Sequence, residues 1–307
     1  MLRYTLRQLE YFVAVGEAGS IALASEKVNV SSPSISTAIN QLEKEFGLPL
    51  FVRQHAQGLS LTQSGRVMME QAKFVLKEAE SLMGLAGDIA GVVRGPLSVG
   101  CLVTFAQVVL PTVRRSFQDA FPDVTIHQQE LNQSEIFSML RRAEIDVALT
   151  YDLNLPADLQ FTSLLELPPY AIVDETHPLA HLPAVSIDEL KDYPMILLDL
   201  PFSSDYFLSF FAKIDVSPNI AERTRDMAVM RSLVANGFGY SIANVRPMND
   251  RSPDGKPLKF IPLVGAVRPM RMGFLMSNDA DTSSVVRAFV EHCCEELKSS
   301  GFPGLSG

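Results

Sequence analysis

The hydrophobic spacing of the chain changes near Gly95 and Pro96, and this change divides the sequence into two kinds of structure. Before this point, apolar residues recur at helical intervals, which predicts a run of helices. After it, short apolar runs alternate with helical patterns, which predicts strands and helices in turn. We therefore expect an α-helical N-terminal part followed by a larger α/β part.

Composition restricts the class of protein further. The chain has 307 residues, of which 47% are hydrophobic and 20% charged, as expected for a globular protein rather than a disordered one. The net charge of -9 argues against a protein that coats nucleic acid or membranes by bulk charge. The acidic excess lies after residue 66, so the N-terminal part is nearly neutral.

The cysteine count and the N-terminus predict a cytoplasmic protein. Three cysteines are an odd number and form no disulfide framework, which fits a reducing compartment. The first twenty residues contain charges and no continuous apolar region of a secretory signal. The longest uncharged stretch, residues 95–113, is interrupted by prolines and polar residues, which favours a strand and a helix over a membrane span.

Three short helices are predicted before residue 47. Gly19 breaks the first helix and Ser20 can cap the second, while Ser32 and Pro33 suit the start of the third. The third helix has an apolar stripe and an outer face of small polar residues, as in the second helix of a helix-turn-helix motif. The residues that we expect to contact DNA from it are Ser32, Ser34, Ser36, Thr37 and Asn40. Periodicity alone equally allows an ordinary three-helix bundle.

A β-hairpin is predicted directly after these helices. Leu50 and Phe51 lead into Arg53, and a loop with Gly58 is followed by Leu59 and Leu61. Such a hairpin would form a wing that carries the cation of Arg53 towards a phosphate or the minor groove. The wing favours a DNA-binding domain over a plain bundle.

Residues 6–65 resemble the winged helix-turn-helix of LysR-type transcriptional regulators. The residues that carry this resemblance are Leu9, Phe12, Gly19, Ser20, Ala24, Val28, Ser31, Pro33, Ser36, Ile39, Leu42, Glu43, Gly47, Leu50, Phe51, Arg53, Leu61, Thr62 and Gly65. The resemblance continues more weakly along almost the whole chain. It implies an all-α winged helix-turn-helix followed by a periplasmic-binding-protein-like domain of two α/β subdomains, with a small-molecule effector in the cleft between them.

The chain departs from the family pattern in ways that reduce its positive charge. The family often has an arginine where Thr37 stands, a glutamine at Ser32 and a second basic residue in the wing, where this chain has His55, Ala56 and Gln57. Fewer cations mean fewer neutralised phosphates, so we expect weaker phosphate binding per monomer.

A long helix is expected after Thr62, and its apolar residues recur at alternating steps of four and three. This pattern is typical of a coiled-coil seam of about three heptads. The predicted dimerisation residues are Met68, Ala72, Val75, Ala79, Leu82, Ala86 and Ile89. The alternative is an amphipathic helix that packs on its own domain. Two DNA-binding domains joined through this helix would bind a two-fold symmetric operator. The family resemblance implies that such dimers pair into tetramers.

The α/β part is predicted to be a mostly parallel sheet with helices on both faces. The expected elements of its first half are the strands 97–102, 124–129 and 147–149 and the helices 105–117 and 134–142. In its second half we expect strands at 171–173, 195–198 and 220–224, a helix capped by Ser186 and a helix over 226–236. The predicted domains are 1–63 for the winged helix-turn-helix, 64–91 for the linker helix and 92–307 for the effector domain, with subdomain I about 92–165 and 268–300 and subdomain II about 166–267.

Ligands in such sheets bind beyond the carboxyl ends of the strands. This rule places Thr104, Asn132, Ser134 and Thr150 near a pocket. The family resemblance extends the set, and the predicted effector-binding residues are then Thr104, Asn132, Ser134, Thr150, Phe202, Ser203 and Thr224. Hydroxyl groups, an amide and an aromatic ring suit a small organic anion or a polar aromatic molecule.

Other chemistries have weaker support. His177 and His181 have the spacing of a helical metal pair, but Pro178 and Pro183 disfavour a helix, so no metal is expected. Gly237 and Gly239 lack the remaining features of a dinucleotide loop. No nucleophile with an adjacent base is apparent, and no cofactor is expected.

Cys101 could meet Cys293 or Cys294 in a redox sensor if the C-terminal helix folds back on the first subdomain. A small buried hydrophobic role for these cysteines is favoured, because no nearby residue pattern stabilises a thiolate.

The sequence therefore predicts a transcriptional regulator rather than an enzyme. Its expected partners are double-stranded operator DNA, a small-molecule effector, a second copy of the chain and RNA polymerase. The alternative is a solute-binding or enzymatic α/β protein that does not bind DNA and has a helical dimerisation module.

Overall fold

The computed structural model describes residues 3–54, 58–278 and 283–300. The chain forms two compact units, one that ends at Ala86 and one that begins at Gly87. The change of hydrophobic spacing near Gly95 therefore lies close to the true boundary between the units.

The first unit is a helical domain with a two-stranded hairpin. Its elements are α1 (Leu6–Ala18), α2 (Ile21–Val28), α3 (Ser32–Phe46), β1 (Phe51–Gln54), β2 (Gly58–Leu61) and α4 (Gln63–Ala90), the last of which runs on into the second unit. Thr5 and Gln8 form a capping box at the start of α1, and Gly19 ends α1 in the left-handed region at φ 62°. The β1 and β2 strands pair antiparallel, as expected for a wing.

The core of the first unit is formed by α1, α3 and the start of the hairpin. Phe12, Ile35, Leu42 and Leu50 are fully buried there. Gly65 lies in the first turn of α4, where a Cβ atom would be 2.1 Å from the Leu50 carbonyl oxygen. Only glycine allows α4 to approach the domain this closely.

The second unit contains two mixed sheets with helices around them. The elements of its first half are β3 (Gly95–Leu102), α5 (Val103–Ala106), α6 (Leu110–Ala120), β4 (Val124–Leu131), α7 (Gln133–Arg141), β5 (Val147–Tyr151) and β6 (Leu159–Leu167). Those that follow are β7 (Tyr170–Asp174), β8 (Val185–Ser186), α8 (Ile187–Leu190), β9 (Pro194–Leu198), α9 (Ser203–Ala212), β10 (Asn219–Thr224), α10 (Met227–Ala235), β11 (Ser241–Ala243), β12 (Leu258–Val264), β13 (Met270–Ser277) and α11 (Ser284–Ser300).

The chain crosses twice between the two halves of this unit. One sheet has the strand order β4-β3-β5-β13-β6, and the strands on the other side form the sets β11-β7-β12-β8 and β10-β9. A parallel bridge between Met195 and Tyr240 connects these two sets. The crossings lie between β6 and β7 and between β12 and β13.

Two sequence predictions about this unit need correction. The β3, β4 and β5 strands are parallel, but β13 runs antiparallel to β5 and β6, so the sheet is mixed rather than mostly parallel. The predicted helix 105–117 is two helices, α5 and α6, separated by a turn. Pro111 lies at the start of α6, where its missing amide hydrogen costs no helical hydrogen bond, and this explains why the helix restarts there.

Candidate functional site

The third helix of the first unit is presented by a short turn after α2. Asn29 ends α2 in the left-handed region at φ 53°, and Ser31 is the N-cap residue of α3. Ser31 therefore takes the capping position that we predicted for Ser32. Two helices joined by a turn of this length match helix-turn-helix geometry, with the N-terminal end of α3 on the surface.

The predicted DNA-contacting residues of α3 lie on its outer side. Ser34, Thr37 and Asn40 are exposed, and Ser32 and Ser36 are half-buried. The Thr37 hydroxyl donates a hydrogen bond to the Pro33 carbonyl oxygen at 2.9 Å. Its proton is thus engaged, and Thr37 offers an acceptor oxygen and a methyl group to a ligand.

The start of α1 lies beside α3, and together they line an open groove of about 490 Å³. Arg7 and Tyr11 of α1 line it with Ser34 and Thr37 of α3. Arg7 is exposed and, in the described part of the chain, forms no ion pair. Arg7 is not among the predicted DNA contacts, because the apolar face of its helix predicts only a supporting role for α1.

The wing prediction is confirmed for the backbone. Arg53 lies opposite Leu59 in the hairpin. The side chain of Arg53 and residues 55–57 lie outside the described residues, so its role as a DNA contact stays a prediction.

The first half of the predicted dimer seam packs on its own domain. Ala72 is buried in the core of the first unit, and Met68 and Val75 pack against that core. The neighbouring Met69 is also buried, and a Cβ atom on Gly16 of α1 would be 2.4 Å from its sulfur. This is a correction for Ala72, which is buried in its own domain and is not free to face a second chain.

The second half of the seam is on the surface. Leu82 is 63% exposed and Ile89 is 81% exposed, and Ala86 between them is also exposed. Ala79 is half-buried. Leu85 lies between Leu82 and Ile89 in sequence and is 54% exposed, so it widens the apolar stripe. Apolar side chains with this exposure and spacing suit a helix-to-helix contact.

A cavity of about 330 Å³ lies in the second unit. It is placed beyond the carboxyl ends of β3 and β10, the position that the sheet topology predicts for a ligand. Its lining residues are Val103, Thr104, Ala106, Gln107, Glu130, Leu200, Arg225, Asp226 and Met227. Of the predicted effector residues, Thr104 alone is among these described lining residues.

Two predicted effector residues carry buried hydroxyl groups without a hydrogen-bond partner. Thr104 is 5% exposed and Thr150 is fully buried, and both Oγ1 atoms lack a partner among the described residues. Burial raises the pKa of the neighbouring Tyr151, and the Thr104 side chain beside the phenol opposes this increase. An unpaired buried hydroxyl costs free energy, so such groups often mark a ligand position.

The other predicted effector residues lie outside the described lining of the cavity, and several of them have structural roles. The Asn132 side chain accepts a hydrogen bond from the Glu135 amide as the cap of α7, and Thr224 accepts one from the Asp226 amide at 3.2 Å. Ser134 is exposed, and Ser203 is buried in the first turn of α9. Phe202 is strained at φ 63° and lies 5.8 Å from the Phe137 ring.

The cavity is more highly charged than predicted. Arg225 follows β10, and Glu130 lies near the end of β4 on the other side. Asp226 also lines the cavity, but its carboxylate caps α10 by accepting hydrogen bonds from the amides of Ala228 and Val229. The predicted effector residues carry only neutral polar groups and do not include these charges. The charged pair Arg225 and Asp226 at a strand end was the signal that could have revealed them.

The structure explains the histidine and glycine patterns that the sequence analysis set aside as a metal pair and a dinucleotide loop. His177 lies in a turn, where its Nδ1 accepts a hydrogen bond from the Leu179 amide at 3.2 Å, and His181 is exposed. The described residues contain no group of His, Cys, Asp and Glu placed to hold a metal ion. Gly239 has φ 146° and lies against the Pro194 carbonyl oxygen, so it serves strand pairing rather than a dinucleotide.

None of the three cysteines forms a disulfide bond within the described chain. Cys101 is fully buried in β3, and burial raises its pKa and that of Cys293. A raised pKa disfavours the reactive thiolate, so a role as small apolar residues fits both. In the described residues we also find no helix that is long and apolar enough to cross a membrane.

Comparison with known protein families places both units in one family. Residues 6–66 match the family described as "Bacterial regulatory helix-turn-helix protein, lysR family", and residues 90–298 match "LysR substrate binding domain". The chain is 27% identical to the HTH-type transcriptional regulator BsdA of Bacillus subtilis (strain 168), over 78% of this chain and 83% of BsdA.

Two solved structures extend the comparison. HinK, a LysR family transcriptional regulator from Pseudomonas aeruginosa, is 34% identical with a TM-score of 0.65, over 96% of this chain and 99% of HinK. Full-length CbnR in complex with its target DNA has a TM-score of 0.73, over 95% of this chain and 99% of CbnR. Its identity of 22% supports a shared fold only.

Proposed function

Because the chain belongs to the LysR family of transcriptional regulators, with a helix-turn-helix DNA-binding domain and an effector-binding domain, we propose that a small effector in the cavity of the second unit controls its action at an operator. The family consists of regulators and not of enzymes, which sets aside the enzymatic alternative. The observation that carries the proposal is the cavity beyond the strand ends, where the sheet topology predicts a ligand, with the predicted effector residue Thr104 in its lining and only 5% exposed.

The effector acts by favouring one arrangement of the two subdomains. Thr104 and Glu130 belong to the first subdomain, whereas Leu200 and Arg225 belong to the second. A ligand that contacts both sides binds the closed arrangement more tightly than the open one, and this difference in affinity shifts the equilibrium. The shift changes operator binding or promoter activation, the latter through contact with RNA polymerase.

The regulator works as a dimer in the cytoplasm, and dimers pair into tetramers. Leu82, Ala86 and Ile89 of α4 support the dimer, since they leave an apolar stripe on the surface. A two-fold protein matches a two-fold operator, so each reading helix meets one half-site. Bacterial DNA lies in the cytoplasm, and a DNA-binding regulator acts there.

The DNA-reading assignment is tested with two single substitutions in the full-length protein, Thr37→Ala and Arg53→Ala. We expect both proteins to remain folded dimers and to lose operator affinity in fluorescence anisotropy with labelled DNA. Thr37→Ala removes an acceptor and a methyl group from the reading helix, and Arg53→Ala removes a cation from the wing. Unchanged affinity in both proteins would contradict this assignment of the reading surface.

A further inference from the structure

The cavity of the second unit brings together two opposite charges that have no ionic partner. The carboxylate of Glu130 accepts a hydrogen bond from the Gln128 amide group at 2.6 Å. In the described chain neither Glu130 nor Arg225 forms an ion pair, with each other or with another residue. Asp226, the other charged group of the lining, is occupied by the amides of α10. One positive and one negative group therefore remain available to a ligand.

The floor of the same cavity holds a polar group that needs a partner. Thr104 is 95% buried, lines the cavity and has no hydrogen-bond partner for its hydroxyl among the described residues. A ligand with a hydrogen-bonding group would satisfy it. This hydroxyl is an observation separate from the two charges, because Thr104 lies on α5 whereas Glu130 and Arg225 lie near the ends of β4 and β10.

Apart from the amide of Gln107, the remaining lining is apolar, and the cavity is small. Val103, Ala106, Leu200 and Met227 supply aliphatic surface. A volume of about 330 Å³ is near the lower end of the range for small-molecule sites. The cavity thus suits a small molecule with an apolar portion and a charged portion.

We infer that the effector of this protein is a small zwitterion with an apolar side chain, such as an α-amino acid. Its carboxylate binds the guanidinium of Arg225, and its ammonium group binds the carboxylate of Glu130. This inference rests on the proposed function of the cavity as the effector site. A zwitterion satisfies charges from both subdomains at once, so it favours their closure. A simple carboxylate would face Glu130 unfavourably, and a simple amine would face Arg225 unfavourably.

The test uses the full-length protein, the twenty proteinogenic amino acids and thermal denaturation, followed by calorimetric titration of those that stabilise it. For each amino acid that binds, we also titrate its deaminated and its decarboxylated counterpart; for leucine these are 4-methylpentanoate and 3-methylbutylamine. We expect an apolar amino acid to bind, and each counterpart to bind at least about tenfold more weakly. The inference is overturned if no amino acid binds, or if a counterpart binds as tightly as its parent.

Two charge-neutral variants assign the contacts. In Arg225→Gln the amino acid should lose its advantage over the amine, and in Glu130→Gln it should lose its advantage over the carboxylate. The matched controls are Arg223→Gln and Glu222→Gln, which remove the same charges from exposed positions of β10 outside the cavity lining. Both controls should keep the preference of the original protein. Equal losses in variants and controls would contradict the assigned contacts.

Operator binding separates the two proposals. If a simple carboxylate binds the cavity and changes operator affinity while no amino acid does, the effector function stands and the zwitterion inference fails. If an amino acid binds with the expected charge preference but changes neither operator affinity nor transcription in vitro, the ligand class stands and the regulatory function fails.

Discussion

At the scale of single residues, hydrogen bonds define what the reading helix can recognise. Thr37 donates its proton to the Pro33 carbonyl oxygen, and the hydroxyl groups of Ser31 and Ser34 are 2.8 Å apart. Thr37 therefore presents an acceptor, which suits the amino groups of adenine or cytosine, and a methyl group, which suits thymine. A family arginine at this position would instead read guanine, so the operator of this protein should differ at the corresponding base pair.

We predict that Arg7→Ala weakens operator binding without changing sequence preference. Arg7 is an unpaired cation beside the reading helix, which suits a phosphate contact. Loss of one phosphate contact in each subunit should make the dependence of log affinity on log salt less steep by about 0.9 per subunit, or about 1.8 for a bound dimer. Anisotropy titrations at several salt concentrations measure this slope.

Arg115→Ala is the control for this prediction, since it removes an exposed charge from the second unit. A slope that is the same for Arg7→Ala and the unaltered protein would contradict the phosphate contact.

At the scale of elements, local patterns were the most predictable part of the fold. The capping box of Ser186 and Glu189 was evident from the sequence, because both partners lie within one turn. The charged lining of the cavity was not evident from the sequence. Glu130 and Arg225 are distant in sequence, and only the topology of the sheets brings them to one cavity. The burial of the first half of the seam was not predicted for a related reason. Ala72 lies in the core of the first unit, and apolar spacing alone does not reveal which neighbour an apolar face packs against.

We predict that Asn132→Ala lowers the free energy of unfolding by about 1 kcal/mol. Asn132 caps α7 and shares a capping box with Glu135, so the substitution leaves the Glu135 amide hydrogen without its side-chain acceptor. Chemical denaturation of the full-length protein, followed by circular dichroism, measures the change. Asn132→Asp retains a capping oxygen and should be nearly neutral. Equal destabilisation by both substitutions would show that capping is not the reason.

We predict that Leu82→Glu shifts the protein from dimer towards monomer. Leu82 is 63% exposed on α4, and a carboxylate in an apolar helix contact would lose hydration without gaining a partner. Sedimentation velocity at several protein concentrations reports the change in association. Gln71→Glu introduces the same charge at an exposed position of α4 outside the stripe and should leave the dimer intact. An unchanged dimer in Leu82→Glu would mean that another surface joins the chains.

At the scale of the effector unit as a whole, a polar cluster ties together its two chain crossings. The Asn244 amide group donates hydrogen bonds to the Leu167 carbonyl oxygen at 2.7 Å and to the Tyr206 hydroxyl at 3.2 Å. Tyr206 in turn donates to the Arg268 carbonyl oxygen, and Arg268 forms an ion pair with Asp152 at 3.1 Å. These contacts fix the two crossings to each other.

We predict that Asp152→Asn makes the stability of this unit less dependent on acid pH. Burial of Asp152 raises its pKa, but hydrogen bonds from the Arg271 backbone and side chain and the charge of Arg268 outweigh this and hold the pKa below its ordinary value of 3.8. The ionised form therefore stabilises the fold above pH 3.8, and this contribution is lost as the pH falls through the lower, folded-state pKa.

Asp152→Asn should lower the free energy of unfolding by about 2 kcal/mol at neutral pH. The loss is no larger because Arg268 and Arg271 are half-exposed, so their charged hydrogen bonds are only partly shielded from water. The difference from the unaltered protein should shrink below pH 3.8. Urea denaturation at neutral and acid pH measures both values. Glu144→Gln alters an exposed ion pair and serves as a control. A difference that does not change with pH would exclude Asp152 as the titrating group.

The burial of the early part of α4 determines where regulators of this kind can be recombined. Met69 and Ala72 complete the core of the reading domain, and Lys73 pairs with Glu17 of α1 at 3.2 Å. A chimera joined at the start of α4 would replace these side chains with those of a foreign helix and leave gaps beneath α1. A junction after Leu76 instead keeps the residues of α4 that pack in or against the core of the reading domain. Biosensors that exchange effector domains on this reader should therefore be joined in the exposed second half of the helix.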